Sequence, residues 1–81
     1  MPPVAENSDS ERTLTTLGDA IRAKRLELKM SQEALADAAT VNRTHMGEVE
    51  RGKRNISFLA LIRIAAAMSV KPSEILAAAG L

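Results

Sequence analysis

Residues 32–51 read QEALADAATVNRTHMGEVER, in which two short helical segments are separated by a tight turn. Ser31 and Asn42 each stand one residue before a segment, where N-cap residues belong. Thr40 and Val41 are left to form the turn between the segments. This spacing predicts a helix-turn-helix, an arrangement in which the second helix can lie in the major groove of DNA.

The flanking sequence extends this pair to five helices and no strand. Apolar residues recur at helical spacing, Ser57 is a good N-cap, and Pro72 fits the first position of a helix. The predicted helices cover about residues 13–29, 32–39, 43–51, 58–68 and 72–79. Leu28 is expected on the buried stripe of the first helix, and the fourth helix, apolar on nearly all sides, is expected to be central. We predict a compact all-α domain over residues 13–81 after a flexible arm over residues 1–12, which are rich in Pro, Ser and acidic residues.

Length and composition narrow the class of protein. A chain of 81 residues forms one small domain, and such domains usually need a disulfide, a metal or a partner subunit for stability. The sequence has no cysteine, and a single histidine cannot hold a metal alone, so we expect no cofactor and a homo-oligomer. An apolar run of membrane-spanning length and a signal peptide are both absent, which favours a cytoplasmic protein.

The net charge is only +1, but it is unevenly distributed. The arm holds three of the ten acidic and one of the eleven basic residues, so ten basic and seven acidic residues remain in the domain. Arg51, Lys53 and Arg54 cluster after the second helix of the pair, and we expect Lys53, Arg54 and Asn55 to contact DNA phosphates. His45 is a candidate for a phosphate contact, a base contact or a solvent position, of which the solvent position is favoured.

Several residues of that second helix point outward and are candidates for reading bases. Arg43 and Thr44 open the helix, where arginine can bind guanine through two hydrogen bonds and the threonine methyl can contact thymine. Gly47 and Glu48 point the same way, and Glu48 can accept a hydrogen bond from the amino group of cytosine. Glu48 can equally hold Arg43 or Arg51 as a surface ion pair, and we favour that interpretation.

The longer string SQEALADAATVNRTHMGEVERGKRN, residues 31–55, resembles the Cro/C1-type (XRE) helix-turn-helix family of phage repressors and bacterial regulators. The resemblance covers about residues 14–79. Its most specific parts are Ser31-Gln32-Glu33, Ala36 and Glu50-Arg51-Gly52-Lys53. The short length and the Arg43-Thr44 pair with the loop at 51–55 are also similar to restriction–modification controller proteins. The resemblance implies a five-helix, lambda-repressor-like DNA-binding domain.

The resemblance also implies roles for individual residues. Gln32 is expected to contact a DNA phosphate at the N-terminus of its helix. Arg25 and Glu50 are expected to form a structural ion pair between the first helix and the reading helix, since partly desolvated charges need partners. Thr40 departs from the family pattern because the family usually has glycine there, so the turn is either bent differently or strained.

These observations predict a sequence-specific transcriptional regulator, such as a repressor, that binds a two-fold operator as a homodimer. The dimer interface is expected at Ile56, Leu59, Ile75 and Leu81, which exceed what so small a core can cover. The alternative is an antitoxin-like protein-interaction module with the same fold, against which the basic residues argue. We expect no enzymatic activity, because the sequence shows no paired-carboxylate pocket, no nucleophile beside a histidine and no phosphate-binding glycine loop.

Overall fold

The computed structural model describes residues 7–81, with side chains from Ser10 onward, and that part of the chain consists of five helices without a strand. The helices are α1 (Asn7–Glu27), α2 (Gln32–Ala39), α3 (Arg43–Glu50), α4 (Phe58–Ala67) and α5 (Pro72–Ala78). The prediction of an all-α, five-helix fold is confirmed. Within the same residues, no helix is long and apolar enough to cross a membrane.

The first helix is longer than its sequence pattern indicates. α1 begins at Asn7 and not near Thr13, so the predicted arm over residues 1–12 is wrong for its second half. The first six residues lie outside the described part of the chain. The residues from Ser10 to Thr13 are exposed, and these turns of helix therefore carry no apolar period that would reveal them. Glu11 favours this end of α1 because a carboxylate is stabilised near a helix N-terminus.

The core is assembled from all five helices. Ile21 of α1, Leu35 of α2, Met46 of α3 and Ile64 of α4 are all 0% exposed, and Ile75 of α5 is 3% exposed. α1 packs on α3 and α5, α2 packs on α3 and α4, and α4 packs on α5. Each fully buried aliphatic side chain contributes about 1.5–3 kcal/mol to the free energy of unfolding. The helix pair α2–α3 is therefore fixed on one side by α1 and on the other by α4.

Two expectations about apolar residues are wrong. Leu28 is 41% exposed, because α1 ends at Glu27 and Leu28 lies in the turn that follows. α4 is not enclosed on all sides: one face is buried, whereas Phe58, Leu59 and Ile62 are 70%, 66% and 37% exposed. An apolar composition alone does not tell which face of such a helix the neighbouring elements cover.

The turn between α2 and α3 is strained at Thr40, whose φ of 55° lies in the left-handed region. The N–H of Val41 donates to the carbonyl of Ala36 at 2.8 Å and closes the end of α2. Asn42 then caps α3, since its side-chain oxygen accepts from the N–H of Thr44 at 2.8 Å. Of the two alternatives for Thr40, the structure shows strain, which costs an L-residue about 1–2 kcal/mol.

α1 and α3 approach each other closely at Gly18. A Cβ atom on this residue would lie 2.6 Å from the carbonyl oxygen of Glu50 and also against that of Val49. Backbone oxygens cannot move aside unless the helix moves, so only glycine fits here without displacing α3. The close approach brings the end of α3 within reach of Arg25 on α1.

Candidate nucleic-acid interface

α3 presents one line of residues away from the domain. Its inner side is buried through Met46 and Val49. At about 3.6 residues per turn, Thr44, Glu48 and Arg51 fall on the opposite side of the helix, and we name these three residues the outward line. Thr44 and Arg51 are exposed and Glu48 is half-buried. An exposed helical face of this kind can enter the major groove of DNA, which is about 12 Å wide.

Arg43 and Thr44, the predicted base-reading pair, are both exposed at the N-terminal end of α3. The Arg43 side chain is 69% exposed, and its Nη1 lies 3.6 Å from Oε2 of Glu33 on α2. An exposed pair of this kind is worth about 0–1 kcal/mol. Arg43 can therefore exchange Glu33 for a group on DNA at little cost.

Gly47 was expected to point outward, but side chains from both sides cover it. A Cβ atom on Gly47 would lie 3.2 Å from Nη1 of Arg51 and 3.3 Å from Oε1 of Gln32. These residues line a shallow groove together with Arg43 and Thr44. Sequence reasoning missed Arg51 as a member of this surface, although it lies seven residues after Thr44 and so on the same helical face.

Glu48 forms an ion pair, but with a different partner from those expected. Its Oε1 accepts hydrogen bonds from Nε and Nη2 of Arg54 at 3.3 Å and 3.2 Å, so the expected pairing with Arg43 or Arg51 is wrong. The reason is that the loop after α3 folds back on the helix, with the N–H of Lys53 donating to the Glu48 carbonyl at 2.8 Å. This fold brings Arg54 to Glu48.

The predicted phosphate contacts lie on two sides of the outward line. Gln32 stands at the start of α2 on one side. His45, Arg54 and Asn55 line a second groove on the other side, between α3 and α4, and Lys53 is exposed beside it. Phosphates flank the major groove on both sides, so the arrangement matches that of a duplex around an inserted helix.

Behind this surface, Arg25 and Glu50 form a buried ion pair with two hydrogen bonds. Arg25 Nε lies 2.7 Å from Glu50 Oε2 and Nη2 lies 2.9 Å from Oε1, and the two residues are 7% and 4% exposed. Arg25 Nη1 also donates to the carbonyl of Met30 at 2.9 Å. The hydrogen bond to Glu50 raises the pKa of Arg25, although burial acts in the opposite direction. The pair joins α1 to the end of α3.

Gln32 connects this ion pair to the exposed groove. Its Nε2 donates to Glu50 Oε1 at 3.2 Å, while its Oε1 lies on the groove side near Gly47. The side chain expected to contact phosphate is thus also a structural partner of Glu50. No buried side-chain nitrogen or oxygen in the described residues lacks a partner, and no group of three acidic or histidine side chains there is placed to hold a metal ion.

The four residues expected at a dimer interface have different environments. Ile75 is 3% exposed because it packs into the core of its own chain, so its assignment to an interface is wrong. Ile56 is half-buried against the same core. Leu59 and Leu81 are 66% and 57% exposed and remain available. The exposed Phe58 was not among the residues expected there, although it directly precedes Leu59.

A sequence profile of the helix-turn-helix family matches residues 21–75. The chain is 38% identical over 60 residues to control protein C.BamHI of Bacillus amyloliquefaciens, covering 73% of this chain and 74% of that protein. It is 35% identical over 65 residues to control protein C.SmaI of Serratia marcescens, covering 80% of this chain and 77% of that protein.

Solved structures share the fold. The restriction–modification controller protein C.AhdI from Aeromonas hydrophila aligns with a TM-score of 0.76 at 35% identity, over 76% of this chain and 94% of that one. The controller protein C.Esp1396I, solved as a tetramer in complex with its natural 35-base-pair operator, aligns with a TM-score of 0.73 at 31% identity, over 80% of this chain and 90% of that one. The sequence profile, the relatives and the fold agree. The chain belongs to the XRE-type helix-turn-helix family of DNA-binding transcriptional regulators.

Proposed function

We propose that this protein is a controller-type regulator that binds a two-fold operator as a homodimer in the cytoplasm and has no enzymatic activity. The observation that carries the proposal is the outward line of α3, which has candidate phosphate contacts on both sides. C.BamHI and C.SmaI are named control proteins, and C.AhdI and C.Esp1396I are restriction–modification controllers, which supports the same role for this chain.

In the proposed complex, α3 lies in the major groove with its N-terminal end against the bases. Arg43 and Thr44 stand at that end and are exposed, so they are the side chains proposed to read sequence. Gln32 on one side and Lys53 and Asn55 on the other are proposed to hold phosphates of the two strands. Base contacts then provide specificity, and phosphate contacts fix the register of the helix.

The reading helix is held before DNA arrives. Asn42 caps its first turn, and the buried pair of Arg25 and Glu50 fixes its last turn to α1. Between these points, Met46 is fully buried in the core. A helix fixed at both ends loses little conformational freedom on binding, which favours affinity and accurate reading.

A homodimer is supported by apolar surface that the described part of the chain leaves uncovered. Phe58, Leu59 and Ile62 lie on the exposed face of α4, and Leu81 is also exposed. C.Esp1396I, solved as a tetramer on its operator, supports self-association in a protein of this fold. Two-fold symmetry would place the two copies of α3 about 34–36 Å apart, one turn of DNA.

The test begins with selection of binding sites from a pool of random duplexes by the purified full-length chain. The expected result is an inverted repeat whose half-sites are about 10–10.5 base pairs apart, centre to centre. A pool that yields no enriched sequence would contradict the proposed function.

Variants then separate reading from holding, measured by fluorescence anisotropy on the selected operator and its single-base variants. Arg43→Ala should cost about 1–3 kcal/mol per half-site and relax the preference at one position. Lys53→Ala should weaken binding to all sequences about equally and lower the salt slope by about 0.9 for each site lost. Lys24→Ala, on α1 and paired with Glu27, is the control and should change neither property. If Arg43→Ala keeps full base preference and Lys53→Ala loses it, the reading residues are wrongly assigned.

A further inference from the structure

Glu48 places a carboxylate on the surface that is proposed to face DNA. It is the acidic member of the outward line, between Thr44 and Arg51. Its side chain is 31% exposed, and its Oε1 accepts two hydrogen bonds from Arg54, whose side chain is 43% exposed. The pair therefore occupies an arginine that could otherwise contact a phosphate.

We propose that Glu48 is a specificity-determining residue that, by holding Arg54, weakens binding to DNA sequences other than the operator. The inference rests on the proposed function. Sequence-independent affinity comes from basic side chains that displace counterions from phosphates. While Glu48 holds Arg54, each subunit has one fewer such contact on any duplex.

Release of Arg54 would leave the Glu48 carboxylate among phosphates, which offer it only like charge and hydrogen-bond acceptors. A base edge can offer more, since cytosine and adenine present amino groups in the major groove. Only a site that places such a donor opposite Glu48 compensates the carboxylate and frees Arg54 for a phosphate. A penalty that the correct site alone relieves is an effective source of discrimination between partners.

The test variant is Glu48→Gln, which removes the charge and keeps the size of the side chain. Affinity is measured by fluorescence anisotropy for the selected operator and for a shuffled duplex of the same composition, at about 50 mM and 200 mM salt. The expected result is tighter binding of the shuffled duplex, with a salt slope steeper by about 0.9 per subunit bound. Over this fourfold change in salt, the gain should therefore be about 3.5-fold larger at the lower concentration. The ratio of operator to shuffled affinity should fall.

Glu27→Gln is the matched control. It removes the same charge from another exposed ion pair, that of Glu27 with Lys24 at 3.3 Å on α1, and should leave slope and ratio unchanged. The thermal unfolding midpoint of each variant checks that it is folded. Because Glu48 acts through Arg54, Glu48→Gln should have no effect on the slope in an Arg54→Gln background.

The proposal is overturned if Glu48→Gln leaves the affinity for the shuffled duplex unchanged or lowers it. It is also overturned if the full effect persists without Arg54. A wild-type protein that binds operator and shuffled duplex equally would instead contradict the proposed function, so the two failures are distinguishable.

Discussion

Replacement of Glu50 by alanine tests the connection between α1 and α3. Arg25 donates to Glu50 at 2.7 Å and 2.9 Å and is itself only 7% exposed. The substitution leaves a buried guanidinium whose Nη1 still donates to the Met30 carbonyl at 2.9 Å, but without a compensating charge. Loss of one partner of a buried pair costs about 3–5 kcal/mol. That loss is large against the roughly 4–12 kcal/mol expected for a domain of 81 residues.

The assay is urea unfolding followed by circular dichroism, since the chain has no tryptophan or tyrosine for fluorescence. Glu27→Ala serves as the control because its exposed pair should be worth less than about 1 kcal/mol. The double variant Arg25→Met with Glu50→Leu should recover most of the lost stability, because apolar replacement of both partners removes the unpaired charge.

The pH dependence follows from the raised pKa of Arg25, which the hydrogen bond to Glu50 causes. A group with a raised folded-state pKa contributes stability that is complete below its unfolded pKa and is lost only as pH rises through the folded value. For an arginine that window is strongly alkaline, so this contribution should be constant through neutral pH. A loss below about 1 kcal/mol in Glu50→Ala would refute the reasoning, because a desolvated charge cannot lose its partner so cheaply.

Three further substitutions have definite expected outcomes. Thr40→Gly should raise the free energy of unfolding by roughly 0.5–1 kcal/mol, because relief of left-handed strain exceeds the added freedom of the unfolded chain; an unchanged urea midpoint would contradict this. Gly18→Ala should lower it by about 1–3 kcal/mol or more, since the new Cβ would lie 2.6 Å from a carbonyl oxygen of α3; wild-type stability would show that the helices separate freely. Leu59→Glu should leave helicity unchanged and shift sedimentation at tens of micromolar toward the monomer, because Leu59 is 66% exposed; an unchanged oligomer would exclude this face of α4 as the interface.

The helix boundaries around the turn could be predicted because they depend on local chemistry. Ser31, Asn42 and Ser57 each accept a hydrogen bond from a backbone N–H two or three residues later, a property of the side chain and its position. The start of α1 could not be predicted, because its first turns are exposed and need no apolar pattern. The exposure of Leu59 and the burial of Ile75 depend on how helices distant in sequence pack, and their composition does not specify this.

The candidate site divides along the same line. The exposure of Arg43 follows from its position at the start of α3, which the cap at Asn42 fixes. The partner of Glu48 depends on a loop that returns to α3 after Gly52, whose φ of 71° lets the chain reverse. Sequence reasoning compared Glu48 with arginines nearby on the helix and missed the one that the loop delivers, Arg54.

The charges of this surface are balanced and not accumulated. Arg43 lies beside Glu33 and Arg54 beside Glu48, and the chain as a whole carries a net charge of only +1. Long-range attraction of a single subunit to DNA is then weak, since nonspecific affinity rises with the number of phosphates that basic groups neutralise. Affinity must come from short-range contacts made by a rigid α3 and from a second subunit that makes the same contacts at a fixed distance. Joining two weak sites in one particle multiplies their effect only if both can engage together. The rigid attachment of α3 to α1 therefore serves binding as well as stability, because it fixes the spacing at which two half-sites can be read at once.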